Sequence, residues 1–202
     1  MNMSALHLEV LEMMERIRAK IDFWYGVRVQ SSFRALEGYV FLGNESYIWV
    51  PICPLQIPEN KTRAVGIVFR VEGGELTESW IEFAIPKPQS KVGAIAPGVI
   101  PVLKSLTSGA HAQQMRWYER FSIPLSANAH TTKAAIQQTE KAVLARLPAI
   151  LKVLTAKRTS FPHKAPTYEK TKMKDDIAKL LRARNGRSDA VGKCLAAIES
   201  GL

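Results

Sequence analysis

YVFLGNESYIWVPICPLQIPENKTRAVGIVFRVEGGELTESWIEFAI, residues 39–85, contains four short apolar runs divided by residues that break helices and permit turns. The runs are Tyr39 to Leu42, Tyr47 to Ile52, Ala64 to Val71 and Trp80 to Ile85. Between them stand Gly43-Asn44-Glu45, the loop from Pro54 to Pro58, and Glu72-Gly73-Gly74-Glu75. Runs rich in Val, Ile, Phe, Tyr and Trp suit a pleated, partly buried surface, and this spacing predicts an antiparallel meander. Successive side chains of a strand point to opposite faces. Val65, Ile67, Phe69 and Val71 then share a core-facing side, against Gly66, Val68 and Arg70. The same count puts Tyr47, Trp49 and Pro51 opposite Ile48, Val50 and Ile52, and Trp80, Glu82 and Ala84 opposite Ile81, Phe83 and Ile85. Tyr47, Trp49, Trp80 and Glu82 are therefore expected on one surface away from the core. Aromatic faces beside a carboxylate can hold a planar base, by stacking and by accepting from an exocyclic amine. Packing under the Pro-rich segment that follows is the competing explanation.

Residues 86–110, with Pro86, Pro88, Pro97, Pro101, Gly93, Gly98 and Gly109, form a crossover, and Pro101 suits the first turn of a short helix to about Leu106. Met115, Trp117, Phe121, Ile123 and Leu125 then alternate with Arg116, Tyr118, Arg120 and Ser122, interrupted by Glu119. That is a period-two pattern. Arg116, Tyr118 and Arg120 on its outward face could contact phosphates and stack bases, or could guard a solvated edge strand. Upstream, Ser4 is a candidate cap for a helix with apolar positions Leu6, Val10, Met13, Ile17 and Ile21, widened by Leu11 and Met14 and ended by Asp22 to Gly26. Val27 to Gln30 reads as a short first strand. Downstream, Thr131 or Asn128 caps a long helix with the stripe Ile136, Val143, Leu144, Leu147, Ile150, Leu151 and Leu154, which Pro148 should kink or split.

At 202 residues the chain can hold one good-sized domain with a helical appendage. The predicted division is 1–156, an α+β domain built on the antiparallel meander flanked by helices, and 157–202, a basic linker with a helical hairpin. Beyond residue 156 there are eleven basic residues against five acidic ones, so this quarter carries +6 of the +10 net charge. Lys157, Arg158, Lys170, Lys172 and Lys174 lie in its extended part. Two short helices, Asp175 to Arg184 and Asp189 to Glu199, join at Asn185-Gly186-Arg187-Ser188. The second offers Lys193 and little else to read base edges, so a packed hairpin or dimer element fits better than a recognition helix.

A basic excess of this size attracts polyanions, above all phosphate backbones. Cys53 and Cys194 stand far apart in apolar surroundings and read as small core residues of a reducing, cytoplasmic protein. Glu9, Glu12 and Glu15 break any signal-peptide core, and no apolar run approaches the ~20 residues of a membrane span. The four histidines have no HxxxH spacing, and neither a phosphate-cradling GxxxxGKS/T loop nor a GxSxG elbow occurs. No metal or cofactor is therefore expected. The one catalytic alternative is Glu45 followed by Glu59-Asn60-Lys61, an acidic residue and an acidic-x-Lys triplet able to hold Mg²⁺ for phosphodiester cleavage. Restriction-endonuclease-like nucleases use that logic on a core strand, whereas Glu59 follows Pro58 in an apparent loop.

The order Val27-Arg28-Val29, Gly43-Asn44, Trp49-Val50-Pro51, Gly66 to Phe69 and Ser79 to Ile85 resembles the N-terminal DNA-binding domain of McrBC-type modification-dependent restriction enzymes, over about residues 5–85. The resemblance implies duplex DNA binding with a modified base flipped into a pocket. The expected function is a non-catalytic nucleic-acid binding protein acting on duplex DNA in restriction or defence, with a homodimer or protein partner compatible. A Mg-dependent nuclease and a basic protein-interaction module are the alternatives.

Overall fold

The computed structural model describes residues 2–25, 42–53, 65–87, 111–116 and 118–156, with single residues Pro101, Ser105, Ala178, Arg182, Gly192, Leu195 and Ala196. The chain runs α1 (Met3–Arg18), β1 (Trp24–Tyr25), β2 (Leu42–Asn44), β3 (Tyr47–Cys53), β4 (Val65–Glu72), β5 (Glu75–Pro86), β6 (His111–Gln114), β7 (Tyr118–Ser126) and α2 (Thr132–Ala156). The fold is α+β. Its seven-stranded sheet has the order β1-β3-β4-β5-β7-β6, with β2 also on β3, and every pairing is antiparallel.

Alternation decides which face is buried. Ile48, Val50, Ile52, Val65, Ile67, Phe69, Ile81 and Phe83 are fully buried on the inner face, and Phe121 and Ile123 nearly so. Against that face lies α2, which packs on β5 and β7 through residues including Ile136, Val143, Leu147 and Leu154, while α1 packs on α2. Gly73 and Gly74, at φ 58° and 77°, make the β4–β5 turn, a left-handed conformation that glycine enters without a Cβ penalty.

Capping ties the layers together. The Thr132 amide and hydroxyl at the start of α2 both donate to the Glu75 carboxylate, and Leu76 N–H donates to Thr132 Oγ1 at 3.0 Å. Those bonds hold the Glu75 carboxyl below its ordinary pKa. A second buried clasp joins β5, β7 and α2, where Ser79 Oγ meets Ser126 Oγ at 3.0 Å and Thr139 Oγ1.

Several sequence expectations need correction. Asn2, not Ser4, caps α1, its side chain accepting from Ala5 N–H at 2.8 Å. Trp24–Tyr25, expected in the helix stop, forms β1 against Cys53 and Ile52. Gly43 and Asn44 belong to β2, leaving Glu45-Ser46 as the turn, and β5 begins at Glu75 rather than Trp80. Residues 115–125 are not one strand: β6 and β7 make a hairpin around Met115 and Arg116, so Arg116 sits in the exposed turn. Nor is β7 an edge, since β6 covers its far side. Thr131 does cap α2, its hydroxyl accepting from Ala134 at 3.2 Å, but Pro148 does not split that helix. Pro148 is exposed, so the carbonyl it leaves unbonded can reach water.

Pro101 and Ser105 are helical, where the short crossover helix was expected. Ala178, Arg182, Gly192, Leu195 and Ala196 are helical too, and Leu195 is fully buried in the main core. The expected strand Val27 to Gln30, the run Tyr39 to Phe41, Glu59, Lys61, Lys157, Arg158, Lys170, Lys172, Lys174 and Cys194 lie outside the described residues.

Candidate functional site

The outer face of the sheet, turned away from both helices, collects the candidate residues by register. Trp49 pairs with Val68, Val68 with Trp80 and Trp80 with Pro124, so one row across four strands carries both indoles. In the next row Pro51 pairs with Gly66, Gly66 with Glu82 and Glu82 with Ser122. Strands are spaced by roughly 4.8 Å, which puts the Trp49 and Trp80 backbones roughly 10 Å apart with Val68 as the floor.

Both indoles lean toward the second row. A Cβ built on Gly66 would lie 2.5 Å from Trp49 Nε1, 2.6 Å from its Cε2 and 2.9 Å from the Val50 carbonyl oxygen. Trp49 therefore rests across β4 because position 66 has no side chain. The other indole donates from Nε1 to Glu82 Oε2 at 3.4 Å. An isolated glycine inside a strand pattern signals this kind of close approach, but the sequence reading assigned Gly66 no role.

Glu82 is 9% exposed, in an environment that compensates its charge only loosely. Its Oε2 takes long contacts from Trp80 Nε1 and from Arg120 Nη1, the latter 3.5 Å away. Burial pushes the carboxyl above its ordinary pKa, and Arg120 and the Trp80 N–H hold back part of that rise. Arg120 reaches Glu82 diagonally, because Ser122 is the residue opposite Glu82 and Ala84 is opposite Arg120. Its guanidinium carbon stands 6.0 Å from the Trp80 ring centroid, Nη2 donates to Gln113 Oε1 on β6, and Nε is buried without a partner. Gln113 is a further site residue that sequence reasoning missed. Its only signal is a pairing opposite Arg120.

Tyr118 is half-buried at the far end of the face, paired with Pro86. Burial first and the nearby Glu82 charge second raise its hydroxyl pKa, Arg120 opposes the rise, and Tyr47 adds to it. Tyr47 stands at the opposite end of the register, against Arg70, and is 38% exposed. Bulges at Arg70/Val71 and Ser79/Trp80 add local twist to this face.

The register thus places Trp49, Trp80, Glu82, Arg120 and Tyr118 on one face of the sheet, with Tyr47 at its far end. Arg116 is exposed in the β6–β7 turn. Glu45 is exposed in the β2–β3 turn. Among the described residues no group of three or more His, Cys, Asp or Glu is placed to hold a metal, and no helix is long and apolar enough to cross a membrane. No family model, curated protein or solved structure matches the chain.

Proposed function

We propose that the protein binds nucleic acid, with duplex DNA as the preferred form, through the outer face of its sheet. The observation that carries this reading is Glu82, a buried carboxylate set between an indole N–H and a guanidinium on the aromatic face of the sheet opposite the one α2 packs against. Burying a charge with only long contacts is costly. Carboxylates so perturbed concentrate at binding and catalytic sites.

The chemistry fits a base. Trp49 and Trp80 supply π-faces, Glu82 can accept from an exocyclic amine, and Tyr47 and Tyr118 offer further stacking and hydrogen bonding at the margins. Electrostatic attraction comes from the +10 net charge, most of it beyond residue 156. In this proposal Lys157, Arg158, Lys170, Lys172 and Lys174 track phosphates, and the basic segment ends in a helical hairpin that packs or dimerises. The likeness to McrBC-type DNA-binding domains supports placing the protein in restriction or defence, as a cytoplasmic reader of DNA rather than a cleaving enzyme.

The test is binding of the purified full chain to labelled duplex and single strands, with and without Mg²⁺, over a salt series. Salt-sensitive retention of duplex without cleavage is expected. Cleavage that needs Mg²⁺ would replace this reading with the nuclease, and absence of any binding would leave a protein-interaction module.

A further inference from the structure

We propose that the exposed face of α2 is a second docking surface, one that takes the phosphate backbone of duplex DNA; this rests on the nucleic-acid reading above but uses none of its residues. The inner side of α2 is buried against the sheet. Its outer side carries Lys133, Gln137, Gln138, Lys141, Arg146 and Lys152, all exposed.

Charge on this side is one-signed. The helix contains a single carboxylate, Glu140, and α1 draws it away: Arg16 Nη2 lies 2.8 Å and Lys20 Nζ 3.9 Å from its oxygens. Among the described residues Lys133, Lys141, Arg146 and Lys152 form no ion pair or hydrogen bond. Four cations without a carboxylate partner give this element a positive field that favours a polyanion.

Geometry selects the occupant. At about 1.5 Å rise and 100° per residue, Lys141 and Lys152 stand about 16 Å apart and nearly in line, Lys133 stands about 12 Å from Lys141 and about 80° round toward one flank, and Arg146 lies toward the other flank. A duplex presents one phosphate charge per roughly 1.7 Å of its axis, so Lys141 and Lys152 can meet phosphates along that axis while Lys133 reaches one to the side. The face carries no aromatic residue on which unpaired bases could stack, which disfavours single strands. Because the apolar side of α2 is already covered by the sheet, it has no hydrophobic surface to insert into a lipid headgroup layer. Gln137 and Gln138 add neutral donors between the cations.

The experiment compares the full chain with a Lys133→Gln, Lys141→Gln, Lys152→Gln variant. Anisotropy of a labelled 20-base-pair duplex is followed from about 50 to 300 mM salt, beside a single strand of equal length and anionic phosphatidylserine vesicles. Each phosphate neutralised contributes about 0.9 to the log–log salt slope, so the slope should fall by about 2.7, and the loss of affinity between 50 and 200 mM salt should shrink about 40-fold. Melting temperature should not move, because all three side chains are exposed and unpaired. Duplex binding with an unchanged slope would overturn the α2 surface alone, and so would a loss confined to single strands or vesicles. A wild-type chain that fails to bind duplex would overturn the function as well.

Discussion

Gly66→Ala tests the geometry of the outer face by adding one methyl group. The new carbon would fall 2.5 Å from Trp49 Nε1 and 2.9 Å from the Val50 carbonyl, both shorter than nonbonded carbon contacts allow. The carbonyl belongs to the neighbouring strand, so relief must come chiefly from the indole lifting off β4. Forcing an extra methyl into a packed site costs about 1–3 kcal/mol, and stiffening the unfolded chain returns about 0.4–1 kcal/mol. The net loss is about 0.6–2 kcal/mol, or a melting temperature lower by about 1–8 °C for a chain of this size. The assay is thermal unfolding beside tryptophan emission, which should shift as Trp49 is displaced toward water. In a Trp49→Ala background the same substitution should cost much less, the coupling appearing as non-additivity between touching residues. A variant as stable as the parent, with unmoved emission, would refute the seating of Trp49 on Gly66.

Thr132→Ala removes the group that links Glu75 and Leu76 to the start of α2 and should cost about 1 kcal/mol by denaturant titration. Since the Glu75 carboxyl is held below its ordinary pKa, its stabilisation is complete above the unfolded carboxylate pKa and lost as pH falls through the lowered folded value; Glu75→Gln should flatten that acid limb. Glu82 behaves oppositely, because its folded pKa is raised, so its stability contribution declines as pH climbs from the unfolded carboxylate value through the folded one. Arg120→Gln removes the main influence opposing that rise and should extend the decline to higher pH, with a loss of about 1–2 kcal/mol at neutrality, discounted for partial exposure. Neutralising Lys170, Lys172 and Lys174 together should lower the salt slope by about 2.7 if the basic segment contacts phosphates. Substitution is preferable to deleting the segment, because Leu195 is fully buried in the core and its loss would open a cavity.

The legible parts of the fold are those where local chemistry suffices. Glu72-Gly73-Gly74-Glu75 announces its turn, and Val65, Ile67, Phe69 and Val71 are buried together as the period demands, although Gly66 and Val68 on the other face are buried too. The grouping of Tyr47, Trp49, Trp80 and Glu82 on one face followed from counting by two, because the runs Tyr47 to Ile52 and Trp80 to Ile85 each keep their phase. What escaped depends on partners far along the chain. The Arg120–Glu82 contact spans 38 residues and is diagonal, so only the β5–β7 register creates it. The β6–β7 hairpin turns through Met115 and Arg116, which carry no glycine, proline or asparagine to mark a turn, and the apparent alternation ran straight through it. Glu119, which broke that pattern, receives a hydrogen bond from Gln114 at 3.0 Å within the hairpin. Trp24–Tyr25 is too short to show a period and exists as a strand because Ile52 and Cys53 offer it an edge.

The claim that nucleic acid seats on the outer face is tested most directly by the affinity of Trp80→Ala for labelled duplex, corrected for the fraction folded at the same temperature and salt. Removing a stacking face should weaken binding by about 1–3 kcal/mol, roughly 5- to 150-fold, among molecules that remain folded. Unaltered affinity of the folded fraction, with only the melting temperature lowered, would show that Trp80 serves packing and that the ligand lies elsewhere.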